Sequence, residues 1–225
     1  MTESPGLAGE LRTPRAAAVA GIIFAAILAT VIILVHSATP RASGDPTVWL
    51  TSASRRRAVS VSLTLIPFAG IAFLWFIGVI RTHLGAREDK LFATVFLGSG
   101  LLFIAMLFGA AASTASLLAL FDSASGASND TLRLGGTLST MLLGTFATRM
   151  AAVFTLSVSN LGRRTSLVPG WLSVFGYVVT VVLLFSPPGL EWVQLLFPGW
   201  VLLLSVHILV VSGRSLPVPD QAVAG

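Results

Sequence analysis

The chain has 225 residues, of which 55% are hydrophobic and 10% charged, and its net charge is +5 at neutral pH. A soluble domain is roughly 25% charged, and a water-soluble globule of this size exposes too much surface to conceal this much apolar side chain. Lipid is the solvent that suits a mean hydropathy of +0.90, and the lack of cysteine excludes disulfides, thiolate metal sites and cysteine nucleophiles.

A helix needs about 20 apolar residues to cross hydrocarbon, and six stretches qualify, the fifth being short. They are residues 16–35, 58–80, 91–121, 137–159, 171–186 and 192–212. Without water to satisfy strand edges, each must be helical, so the predicted fold class is an all-α polytopic transmembrane bundle of six spans. Residues 1–15 form a cytoplasmic N-terminal tail, 16–212 the transmembrane domain and 213–225 a disordered C-terminal tail. The first apolar run is longer than the roughly 7–15 residues of a signal-peptide core and reads as an uncleaved anchor.

In chain order, Asp45-Pro46 has the form of a helix start, a capping Asp followed by Pro where no N–H is needed. Residues 47–57 are read either as a surface helix with Trp49 and Leu50 dipping into the interface or as a plain loop. Residues 122–135 are rich in Ser, Gly, Asn and Asp and read as a loop. Pro187-Pro188-Gly189 makes a tight turn. Trp171, Trp192 and Trp75 are placed as interfacial anchors. Small residues recur at four-residue spacing in three spans: Ala17, Gly21, Ala25 and Ala29; Ala105, Gly109 and Ser113; and Gly136, Thr140, Gly144, Thr148 and Ala152. Such faces let helices approach closely in lipid, within one chain or between copies.

The charges are distributed as in a membrane protein. Arg12, Arg15, Arg81, Arg87, Lys90, Arg163, Arg164 and Arg214 fall on one side, and Arg41, Arg55, Arg56, Arg57 and Arg133 on the other. The positive-inside rule then puts both termini in the cytoplasm of a plasma-membrane protein, with the Arg55–Arg57 triplet opposing it. Basic residues capping apolar runs give no nucleic-acid footprint.

Arg149 is the one charge inside a span. A cation at the bilayer centre costs about 2.5–3.5 kcal/mol on insertion scales, so it is expected to face the protein interior and find acceptors. Tyr177 near the same depth, the carbonyl freed by Pro67 in the second span, and Ser99 are the candidate partners. Together Arg149, Tyr177, Pro67 and Ser99 form a candidate ligand-binding set, the alternative being an arginine that only locks helix packing. No metal-ligand spacing joins His36, His83 and His207, and no cofactor is expected. Ser99, in Gly98-Ser99-Gly100, with His207 as base would follow intramembrane serine protease logic. Leu97, however, stands where that motif needs its first Gly, and the serine is on the wrong span. A non-enzyme is expected.

Three segments, IPFAGIAFLWF at 66–76, FATVFLGSG at 92–100 and RMAAVFT at 149–155, resemble a family of uncharacterised actinobacterial six-span membrane proteins over about residues 55–180. The resemblance implies a membrane location and no reaction. Two functions stay open: a non-enzymatic scaffold or accessory subunit working with a membrane protein partner or further copies of itself, and a small transporter or anion- or lipid-binding permease built on Arg149.

Overall fold

The computed structural model describes residues 12–39, 48–84, 90–122, 128–165, 168–187 and 190–214. These form α1 (Arg12–Ala38), a 3-10 turn (Val48–Thr51), α2 (Ala53–Leu84), α3 (Lys90–Asp122), α4 (Asn129–Met141), a π-helix (Leu142–Ala147), α5 (Thr148–Thr165), α6 (Gly170–Phe185), a second 3-10 turn (Glu191–Leu195) and α7 (Leu196–Arg214). No strand occurs among the described residues. The α4, π and α5 segments run as one continuous rod, so the helices make six rods, as the apolar pattern predicts. Five are long and apolar enough to cross a membrane, and α6 is a shorter apolar helix of 16 residues. At 1.5 Å per residue α6 spans about 24 Å, short of the roughly 30 Å of hydrocarbon. The protein is a membrane-embedded all-α bundle.

Most of the core belongs to one cluster whose centre is aromatic. Phe73 of α2 is fully buried. Its ring centroid lies 4.4 Å from Phe24 of α1, 5.3 Å from Phe103 of α3, 5.0 Å from Phe154 of α5 and 5.9 Å from Phe197 of α7. Lipid tails are as apolar as a helix surface, so apolar side chains alone do not drive helices together there; close packing and ring geometry do.

The small residues of α1 are used inside the chain. Ala17, Gly21 and Ala25 are buried, and a methyl group at Gly21 would fall on Ser205 of α7 and Phe76 of α2. Gly176 of α6 does the same for α5 and α7: a methyl group there would fall on Ser159 Oγ and come within 2.8 Å of Trp200 Nε1. Hydroxyls supply the remaining fixings. Ser113 donates to Gly135 O at 2.9 Å, Ser139 donates to Ala110 O at 3.1 Å, and Thr180 donates to Ala152 O at 3.3 Å.

Three expectations are corrected. The loop predicted over 122–135 gives way at Asn129, where α4 begins. Ser128 Oγ accepts from the Thr131 amide at 3.3 Å and caps the helix. Gly135 then approaches Leu117 of α3 closely and Gly136 is buried, so packing overrides their poor helix propensity. Trp49 and Leu50 do not dip into the interface: they are 4% and 2% exposed, clustered with Ala38, Val59 and Leu117. Arg56 holds this corner, donating to Leu50 O at 2.6 Å with its guanidinium 5.4 Å from the centre of the Phe121 ring. A cation near a helix N-terminus opposes the helix dipole, and these two acceptors offset that. In the small-residue pattern, Ala105 and Thr140 are exposed, so the second and third series are not continuous internal faces. Residues 1–11, 40–47, 188–189 and 215–225 lie outside the described residues, while residues 12–15 of the predicted N-terminal tail begin α1 and residues 213–214 of the predicted C-terminal tail end α7.

Two substitutions test this packing by thermal unfolding in detergent. Phe73→Ala is expected to cost roughly 2–4 kcal/mol, because cavity and dispersion losses persist in lipid while the water-transfer part does not. Gly176→Ala is expected to cost roughly 1–3 kcal/mol by overpacking, and Ser159→Ala added to it should restore part of the loss.

Candidate functional site

The π-helix is the local irregularity around which the polar side chains gather. A π-turn breaks the regular four-residue hydrogen-bond ladder and is found disproportionately at functional sites. Two side chains just after it serve carbonyls of the wide turn. Thr148 Oγ1 donates to Leu143 O at 3.0 Å, and Arg149 Nη1 donates to Thr145 O at 3.1 Å.

Arg149 does not face the interior, as the sequence led one to expect. Thr148, Ala151, Ala152, Thr155 and Ser159 line the buried side of the rod, while Arg149 is half-buried on the stripe that carries the exposed Phe146, Leu156 and Arg163. Its bond to Thr145 draws the side chain back along the helix towards the π-turn. The antiparallel register of α5 and α6, set by Thr180 on Ala152 and Gly176 on Ser159, brings Arg149 level with the last turn of α6. Of the five N–H donors of a guanidinium, one is matched within the described residues.

The other three candidates do not join it. Tyr177 lies roughly six to nine residues away along the same register, about 9–14 Å of helical rise. Pro67 lies on the exposed face of α2, which continues through it. Ser99 is buried on α3 and donates to Phe96 O of its own helix at 3.1 Å. The residues that sequence reasoning missed are Thr148, taken only as a packing residue, and Gln194 in the 3-10 turn before α7. Gln194 Oε1 is buried without a hydrogen-bond partner. A polar residue near the start of an apolar span is an available signal, but a π-turn opposite it has no recognisable sequence pattern. Ser159, Ser173, Trp200 and Ser205 also bury polar atoms without partners. No group of His, Asp and Glu suited to a metal ion occurs among the described residues.

No family model matches the chain, and no curated protein or solved structure is similar enough to it to count as a match.

The bond from Arg149 to the π-turn is separable from its charge. Arg149→Lys keeps the charge but loses the planar fork, whereas Arg149→Leu removes both. If the carbonyl of Thr145 depends on this side chain, Arg149→Leu lowers the unfolding midpoint in neutral detergent, and Arg149→Lys recovers at least half of the drop.

Proposed function

We propose that this protein is a non-enzymatic, six-span protein of the plasma membrane, with both termini cytoplasmic, that holds an anionic group at Arg149. The supporting observation is the guanidinium: half-buried, on a lipid-facing stripe, with one hydrogen bond and no carboxylate partner among the described residues. Unmatched cationic donors in a membrane are expensive, and a phosphate or other anion satisfies them with charge-assisted bonds. The outward stripe favours an anion arriving from the lipid side, such as a phospholipid headgroup, over a solute crossing the bundle.

A second function rests on a different face. Gly98, Ala105, Ala112 and Ala119 of α3 repeat every seven residues; the three alanines are exposed, and nothing beyond its own stretch of helix lies within 4 Å of where a Gly98 Cβ would be. Such a stripe suits another transmembrane helix, as in a scaffold or accessory subunit.

Thermal unfolding of the purified chain separates the possibilities, because a ligand that binds the native state raises the midpoint by mass action. Added phosphatidylglycerol is expected to raise the wild-type midpoint by several degrees and to leave a folded Arg149→Gln unmoved, with phosphatidylcholine acting on neither. A response to inorganic phosphate or sulfate alone would identify a free anion as the ligand. If no anion acts on wild type, the arginine serves packing only and α3 becomes the face to crosslink.

A further inference from the structure

We propose that the bilayer covers only part of the bundle, and that the start of α2, the end of α3 and α4 stand beyond it as a helical cap in water, on the side opposite Arg12 and Arg214. Length sets the problem. α2 and α3 have 32 and 33 residues, about 50 Å of helix, against about 30 Å of hydrocarbon. A tilt of about 20° shortens such a rod by only about 3 Å, so the excess must leave the hydrocarbon. Register decides at which end. Ser139 on Ala110 O and Leu117 beside Gly135 run α3 and α4 antiparallel, with the end of α3 level with the start of α4. Leu117 also clusters with Val59 near the start of α2 and with Ala38 at the end of α1. α6 stops far short of that corner: by the α5–α6 register its last residue, Phe185, is level with Thr148. The 3-10 turn before α7 lies beside the π-helix, the Gln194 amide nitrogen being 3.7 Å from where a Gly144 Cβ would stand. Residues 129–141, and 110–122 of α3 beside them, therefore rise past that turn by about 20 Å.

Side-chain chemistry changes at the same level. Every exposed side chain of α2 over 68–78, of α3 over 95–108 and of α6 over 171–185 is apolar. Past the turn, the exposed positions include Arg57, Ser60, Thr64, Ser116, Asp130 and Thr137. Lipid suits the first set and water the second. The exposed Leu134 and Leu138 are compatible with water, because over half of a water-facing protein surface is apolar. Tryptophans mark the two rims, where their rings favour the membrane–water interface. Trp171, level with Arg163, and Trp192, in the 3-10 turn, are both exposed. From Arg163 to Gly144 is about 28 Å of helical rise, close to one hydrocarbon thickness. Trp75, two residues from Phe73, falls between the rims. In the α3 stripe Gly98 and Ala105 then face hydrocarbon, while Ala112 and Ala119 belong to the cap, so a helix docked there follows α3 past the rim. The placement does not rest on the anion at Arg149. It does bear on its source: Arg149 lies about 8 Å below Gly144 with its side chain drawn towards the cap, so a headgroup that meets it comes from the leaflet on the cap side.

The chain contains no cysteine, so single-cysteine variants of the full-length protein carry one nitroxide each for electron paramagnetic resonance in phosphatidylcholine vesicles. Ser60→Cys, Ser116→Cys and Thr137→Cys probe the cap; all three are exposed, and all three lie within apolar runs that hydropathy assigns to spans. Leu74→Cys, Leu102→Cys and Leu156→Cys, also exposed, probe the band between the rims. Collision with a water-soluble nickel chelate, relative to collision with oxygen, should be severalfold greater at the cap positions than in the band. Thr131→Cys replaces any cap variant that fails to fold. A ratio at the cap no higher than that in the band overturns the proposal, because hydrocarbon then covers the rods to their ends.

Discussion

The packing of Phe73 against rings from α1, α3, α5 and α7 is the constraint on which the rest of the bundle depends. In water, burying those rings would by itself bring the helices together. In lipid that force is absent, and what remains is dispersion and the preference of aromatic rings for edge and tilted contacts. A ring surrounded on several sides admits few alternative arrangements. The neighbouring helices must then approach closely, and the glycines at 21, 100 and 176 are where they do: at each, an added methyl group would meet a side chain from another helix.

Once the rods are held in that register, polar groups are sorted by the face they occupy. Thr148 is buried inside the bundle, while Arg149, the next residue along, turns outward. Adjacent residues on a helix lie about 100° apart, so neighbours in sequence belong to different environments. The π-turn serves both. It leaves carbonyls for Thr148 and Arg149 to bond. A stretch that reads in sequence as an unbroken apolar span with one misplaced charge is thus a jointed rod whose joint carries the chemistry.

The anion proposed at Arg149 draws on the outer surface of that rod: a cation with unmatched donors points to the lipid, because polar groups inside a membrane must find partners. The alanine stripe of α3 follows from the complementary rule, that small residues left facing lipid permit a further helix to approach.

By itself the sequence determined the solvent, the fold class and the number of rods, because these depend on the length and apolarity of contiguous segments. It also picked out Arg149, because a charge within an apolar run is visible without coordinates. Only the tertiary structure decided which way Arg149 faces and that Tyr177, Pro67 and Ser99 are not its neighbours. Depth estimated from span centres assumes helices that begin at a common level, whereas the shortness of α6 and the α5–α6 register shift them relative to one another. Whether 129–135 is loop or helix was decided there too, since a capping serine and a close packing partner outweigh a glycine-rich composition. So was the burial of Trp49 and Leu50, which a hydropathy pattern cannot distinguish from insertion into lipid: both environments are apolar, and only the position of α1 and α3 tells them apart.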